Sequence, residues 1–257
     1  MRRGNYREAR QSFSSAIAEE KRTWVRRDIL ALMVRCSLAL DDYASAVSRF
    51  LTLVGSDPQT RHFRDIPLCW GDDSLSDALR ADARSWLADD SEIARLIGAS
   101  FLLDELKTRD FAEAEFHRLR RGRDPRVVEF ARIQLWRQNL REGDVSLRTI
   151  ARWEQNVKAL PEELRAGPWY LVGKAYVMNK DYERAAIAFL WLPTIYDRNH
   201  EFAARGAVSA AQALITIGQK TEAATLCREV VGRFAQSGHA AQAQAILDSI
   251  QTTQPPG

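Results

Sequence analysis

The sequence is poor in most of what marks other protein classes. Cysteine is scarce, and Cys36, Cys69 and Cys227 stand far apart. An odd number with no close pair argues against a disulfide framework and a zinc module. The thiols read as small buried apolar residues, in keeping with a reducing compartment. No apolar run reaches the roughly eighteen residues that a membrane span needs. The opening MRRGNYREARQSF has no apolar core after its arginines, so no signal peptide lies there. Glycine and proline are few, 13 and 8 in 257 residues, and Ala, Leu, Arg and Glu abound, which favours helix. Neither charge sign dominates: 37 Lys and Arg against 34 Asp and Glu leave +3, too mild to imply a partner. At 46% hydrophobic and 28% charged, the composition is that of a folded soluble protein of one large domain or two ordinary ones.

Reactive clusters are also missing. There is no His-Glu-x-x-His, no phosphate-cradling glycine loop and no Gly-x-Ser-x-Gly elbow. His62, His117, His200 and His239 are scattered. His62 and Cys69 share one loop and read as a loop histidine and a buried thiol rather than a metal pair. The acid pairs Asp72-Asp73 and Asp89-Asp90 sit at helix starts, where acids cap.

What the chain does have is a spaced pattern. In WYLVGKAYVMNKDYERAAIAF, residues 169–189, Trp169, Gly173 and Tyr176 fall at i, i+4 and i+7, and Tyr182, Ala185 and Phe189 at i, i+3 and i+7. Each set is one stripe of a helix. Asn179-Lys180-Asp181 is a polar break suited to a tight turn, so the stretch predicts an antiparallel helix hairpin. Gly173 and Ala185 let its backbones approach, and Pro168 is placed as the first helical residue. The second-helix half recurs as Gly4-x-Tyr6-x-x-Ala9-x-x-x-Phe13-x-x-Ala16, as Asp42-Tyr43-x-x-Ala46-x-x-x-Phe50, as Asp110-Phe111-x-x-Ala114 and as Gly218-x-Lys220-x-x-Ala223-x-x-x-Cys227. The anchors 6, 43, 111, 182 and 220 lie 37, 68, 71 and 38 residues apart. Two intervals are near one period of a stacked helical array and two near twice that.

These residues resemble the tetratricopeptide repeat family, whose pattern runs Trp, Leu-Gly, Tyr, Gly-x-Tyr, Ala, Phe, Ala and Pro. Residues 169–189 match it at Trp169, Gly173, Tyr176, Tyr182, Ala185 and Phe189. Lys180 stands where the family favours Gly and Leu192 where it favours Ala; Pro193 comes early and should end or kink its helix. The likeness covers 169–231, 4–17 and 24–58 and thins between 59 and 165. EVVGRF and the small-residue helix after it resemble bacterial envelope members. The resemblance implies an all-α fold, a right-handed α-solenoid of antiparallel helix pairs whose first helices line a groove. It implies a non-enzymatic scaffold without cofactor that holds a partner peptide or protein in that groove. Carried over by position, Tyr170, Lys174, Val177 and Met178 face the groove, followed by Arg205, Val208 and Gln212 in the next pair and Arg35 in the early one. The Asn positions of the family's carboxylate clamp are not matched.

Residues 1–58 read as N-terminal repeats with the first incomplete, 59–165 as a loop plus degenerate repeats, 166–251 as C-terminal repeats with a capping helix, and 252–257 as a disordered tail. Residues 4–20 form a second helix without a first, which predicts more chain upstream or another cover for its apolar face. The chain reads as cytoplasmic as it stands, and as periplasmic or envelope-associated if an upstream signal peptide belongs to it. Helix 22–40 counts Trp24, Ile29, Leu32, Met33 and Leu40 among its apolar positions. The irregular stretch 56–73 has Phe63, Ile66, Leu68 and Trp70 to pin it down. Ser74-x-x-Asp77 reads as a capping box and Asp124-Pro125 as a helix start. Helices are also expected near 91–106, 110–121, 144–158, 161–166, 200–217, 219–234 and 238–251. The helix at 74–88 makes the count odd, so pairing in the middle third stays open.

One stretch is chemically distinct. FHRLRRGRDPRVVEFARIQLWRQ, 116–138, gathers seven arginines against Asp124 and Glu129. Arg118, Arg120, Arg121 and Arg123 crowd one turn. They can bind phosphates or an acidic segment, or form a solvated helix end where cations are favourable. No aromatics interleave there, which argues against nucleic acid. Anion binding through Arg118–Arg126, or a role as a helical accessory domain of a longer protein, is the alternative to a scaffold.

Overall fold

The computed structural model describes residues 5–71 and 75–252. Among these there is no strand: the chain is all-α, and its helices pack chiefly on their chain neighbours, as in helical-repeat proteins. Contacts divide it into two compact units that meet at Glu142 and Gly143 in the sequence. The first holds α1 (Tyr6–Glu19), α2 (Thr23–Leu38), α3 (Tyr43–Ser56), a 3-10 turn (Arg61–Asp65), α4 (Asp77–Leu87), α5 (Glu92–Leu102), α6 (Arg109–Leu119), α7 (Pro125–Gln134) and α8 (Trp136–Glu142). The second holds α9 (Leu147–Ala159), a 3-10 turn (Glu162–Leu164), α10 (Ala166–Met178), α11 (Tyr182–Thr194), α12 (His200–Thr216), α13 (Lys220–Arg233) and α14 (Ala240–Thr252).

One turn geometry recurs. Between α2 and α3, α10 and α11, and α12 and α13, the residue two before the second helix has positive φ: Asp41 at 53°, Lys180 at 58° and Gly218 at 82°. The following N–H reaches back to the first helix in each, from Asp42 to the Ser37 carbonyl, Asp181 to Tyr176 and Gln219 to Leu214, at 2.9, 3.0 and 2.9 Å. These bonds satisfy carbonyls that a helix end leaves unpaired. Asp42 and Asp181 then cap the second helix, accepting from the Ser45 and Arg184 N–H groups. Lys180, which departs from the glycine of the repeat pattern, thus holds a glycine-like conformation.

The helix spacing is more regular than the sequence anchors suggest. Helices α1, α3, α4, α6, α9, α11 and α13 start at 6, 43, 77, 109, 147, 182 and 220, at intervals of 37, 34, 32, 38, 35 and 38 residues. The two double intervals contain α4 and α9. The copy placed at Asp110-Phe111 has a different register. Phe111 is 71% exposed, whereas Ala112 and Phe116 are buried as Ala46 and Phe50 are in α3 and Ala185 and Phe189 in α11. The anchor is therefore Arg109, two residues earlier, because burial of the Ala-x-x-x-Phe pair sets the face. Before α4, where the period calls for a first helix, the chain runs instead through residues 57–71. This substitution is what made the helix count odd.

Local corrections obey the same logic. Ser76, not Ser74, caps α4, its Oγ accepting from the Leu79 N–H at 3.2 Å. Ser74 and the pair Asp72-Asp73 lie outside the described residues, as do Gly4 and 253–257; Thr252, counted with the tail, ends α14. Residues 162–164 form a 3-10 turn, and α10 begins at Ala166, so Pro168 is its third residue. Its missing N–H still falls among those with no partner inside the helix. Pro193 lies one residue before the end of α11. Asp124 caps α7 with Pro125 next, as expected. Trp24 is 63% exposed, its ring 5.7 Å from the Arg22 guanidinium carbon, rather than part of the core. At Gly173 a Cβ would stand 2.5 Å from the Phe189 ring, so the glycine admits that ring from α11 between the helices.

Candidate functional site

In the second unit the residues assigned to a partner face fall into two sets. Tyr170 and Val208 are buried. The Tyr170 ring lies 5.5 Å from Phe189 and 5.4 Å from Phe202, tying α10 to α11 and α12. Its hydroxyl accepts from Arg205 Nε at 3.1 Å, and the Arg205 guanidinium also sits 4.9 Å from the ring centroid. The aromatic body is thus spent on packing while the polar tip is satisfied. Lys174 is half-buried and engaged within the fold. Val177, Met178 and Gln212 remain exposed. Beside them the pattern missed Ile217, an exposed apolar residue at the end of α12. The ends of α10 and α12 therefore both present apolar side chains to solvent.

Sequence reading also missed a stripe on α11. Ile187, Trp191 and Ile195, at i, i+4 and i+8, are exposed. They lie off the Ala185 and Phe189 face, and that offset in a second helix is the signal that could have found them. Trp191 stacks on Trp169 at 5.4 Å with 12° between planes, so part of the stripe is held by the fold.

In the first unit the corresponding face is closed. Arg35, expected to meet a partner, forms a two-pronged pair with Asp65, Nε to Oδ1 at 2.9 Å and Nη2 to Oδ2 at 2.8 Å. Asp65 belongs to the chain's own 57–71 segment, which is anchored along its length. Asp28 of α2 accepts from Arg61 at 3.0 Å and lies 2.8 Å from His62 Nε2. These bonds, Arg61's first, hold the Asp28 carboxyl below its ordinary range. Phe63 is buried, its centroid 5.9 Å from Phe50 and 6.3 Å from Phe130, with the Arg126 guanidinium 4.0 Å above it. Gln134 Nε2 and Arg137 Nη1 donate to the Cys69 carbonyl at 3.1 and 2.9 Å. Arg137 also donates to the Ser100 carbonyl at 2.7 Å and pairs with Asp104. These bonds let a charged side chain only 4% exposed sit in the interior.

The basic turn is smaller than the sequence suggests. Arg126 leaves it: its guanidinium binds Asp124 and the Pro58 carbonyl. Burial alone would raise the Asp124 carboxyl, but the Arg126 hydrogen bonds outweigh it and hold the group low. Arg118 and Arg121 line a cleft of about 410 Å³ with Glu92, Arg95, His117 and Gly122, between the start of α5 and the end of α6. Arg120 and Arg123 are exposed beside it.

The histidines do not converge. His62 faces Asp28, His200 meets the Phe234 ring edge-on at 5.4 Å, and His239 lies 3.3 Å from Gln242. Asp89 accepts from the Ser91 N–H at 2.7 Å, and Ser91 caps α5. Among the described residues no three His, Cys, Asp or Glu side chains are grouped to hold a metal ion, and no helix is long and apolar enough to cross a membrane. The chain matches no protein-family model, no curated protein and no solved structure.

Proposed function

We propose that this chain is a tetratricopeptide-like, non-enzymatic scaffold that binds an extended segment of a partner protein across the first helices α10 and α12. One observation carries this reading: two successive hairpins with the same turn geometry leave apolar side chains exposed at the same end of their first helices, Val177 and Met178 on α10 and Ile217 directly after α12. Repeated exposed apolar positions on two helices that both pack on α11 suit anchoring of a peptide, with Gln212 of α12 offering a polar contact. Tyr170 and Val208 are buried and are not part of this surface. The first unit is not a second copy of this site, since residues 57–71 cover the face that contains Arg35.

Selection of a random peptide library on the full chain, counter-selected with a Val177→Asp, Met178→Asp variant, tests the reading. Peptides enriched by the wild-type chain and lost with the variant are expected. Val177 and Met178 are 38% and 37% exposed in the last turn of α10, where acids are unfavourable, so a Val177→Ala, Met178→Ala variant replaces the aspartates if they lower the melting temperature. Equal enrichment by both proteins, or no enrichment, would remove the α10–α12 surface from consideration.

A further inference from the structure

The cleft between α5 and α6 is a second and chemically different surface. Glu115 stands behind it and accepts from Arg95 Nε at 2.8 Å and from Arg118 Nε and Nη2 at 2.8 and 3.1 Å. One carboxylate thereby fixes two guanidiniums, and Arg118 keeps a nitrogen, Nη1, outside that fork. Arg95 is held further by the Asp89 and Asp90 carbonyls at 2.8 and 2.6 Å. The carboxylates of Glu92 and Glu115 face three guanidiniums, of Arg95, Arg118 and Arg121. With the flanking Arg120 and Arg123 on one side and Asp89 and Asp90 on the other, five guanidiniums stand against four carboxylates, and one positive charge is left over. Gly122 lets the chain pass close to Glu92: a Cβ there would lie 3.1 Å from both carboxylate oxygens. That contact packs the turn against the start of α5.

The carbonyls at the end of α6 disfavour an anion, so the arginines must supply the attraction. Guanidinium forks match the oxygens of a phosphoryl group better than a single ammonium does, and bind a dianion more strongly than one carboxylate. No Phe, Tyr or Trp lines the cleft to stack successive bases, His117 being the one ring there, and the cations gather at one turn rather than along a track. A polymer of phosphates is therefore a poorer fit than one phosphoryl group on a short side chain. We propose that this cleft binds a phosphorylated serine or threonine of a partner protein, with Arg118 and Arg121 as the phosphate ligands. The site lies wholly in the first unit, and the inference does not rest on the α10–α12 reading.

Amide spectra of the ¹⁵N-labelled full chain, titrated separately with O-phosphoserine, inorganic phosphate and an oligothymidine, provide the test. Phosphoserine should shift the Leu119, Arg121 and Gly122 signals in a saturable way, with inorganic phosphate weaker at the same residues. Arg121→Ala should weaken binding about tenfold, the scale of one lost charge-assisted hydrogen bond. Arg121 is exposed, and its Gln variant replaces Ala if the latter loses its helical circular dichroism. Arg152→Ala, at an exposed position on α9, should change nothing. Absence of saturation, an Arg121→Ala variant indistinguishable from wild type, phosphate binding without phosphoserine binding, or stronger saturation by oligothymidine at these residues would each overturn the proposal.

Discussion

The early hairpin α2–α3 and the late hairpin α10–α11 share one turn, yet their first helices meet different fates. On α2, Asp28 and Arg35 are occupied by Arg61, His62 and Asp65 of the chain's own segment. On α10, Val177 and Met178 face solvent. The difference lies in the next element of the chain. After α11 comes a first helix, α12; after α3 comes an irregular segment whose backbone has no helix to satisfy it. Buried polar backbone needs partners, and α7 and α8 supply Gln134 and Arg137 to the Cys69 carbonyl. A missing helix is thus replaced by side-chain hydrogen bonds, and the face is partly covered. Where the helices continue, the backbone satisfies itself, and the end of the first helix stays exposed at Val177 and Met178 while Lys174, the counterpart of Arg35, is engaged within the fold.

The comparison can be broken most severely at Phe63. Truncation to Ala removes the ring that joins Phe50 to Phe130 in a fully packed site, at a cost of about 3–5 kcal/mol. Urea unfolding should show a lower midpoint, and hydrogen exchange should show lost protection in 60–71, α3 and α7 with α10–α13 unchanged. Loss of protection spread evenly over both units would refute the division. Arg137→Met comes next. It leaves the Ser100 carbonyl without this donor and Asp104 without this cation, costing about 3 kcal/mol. A variant as stable as wild type would mean the polar anchoring of the segment is dispensable.

A pH titration reads the same anchoring more gently. The Asp28 carboxyl is held below its ordinary value by Arg61 and then His62. Its contribution is therefore present above the ordinary carboxylate range and is lost as pH falls through the lower folded value. Asp42 and Asp124 are also held low, so they add to acid destabilisation. Asp28→Asn should make the melting temperature fall less between neutral pH and about pH 3. An unchanged fall would show that this pair does not hold the segment.

These effects separate what a sequence pattern can carry from what it cannot. The α10–α11 hairpin was legible because its stripe, break and caps lie within one short stretch. Val177 and Met178 were named through the family resemblance by position, and both are exposed. Tyr170 was misplaced because its burial comes from Phe202 and Arg205 of the next helix, which no spacing within α10 records. Arg35 and Arg126 were misplaced because their partners, Asp65 and the Pro58 carbonyl, lie in a segment with no periodicity. The register at α6 failed because Phe111 imitates the anchor while the buried pair is Ala112 and Phe116. Irregular backbone sets Arg35 and Arg126, packing on the next helix sets Tyr170, and burial sets the register of α6.

The smallest effect gives the finest view of the shared turn. Lys180 and Asp41 hold positive φ in the place that Gly218 fills at the next hairpin. An L-residue there costs about 1–2 kcal/mol, partly offset by the roughly 0.5–1 kcal/mol of extra chain entropy that glycine loses on folding. Lys180→Gly should therefore stabilise by about 0.5 kcal/mol, and Gly218→Ala should destabilise by about 1 kcal/mol. Asp41→Gly should gain less than Lys180→Gly, because a short polar side chain tolerates this conformation better. Thermal melts of the three variants resolve the order. If Lys180→Gly were destabilising, the lysine would be making a contact that its turn geometry does not require. The three turns would then be alike in backbone but not in energy.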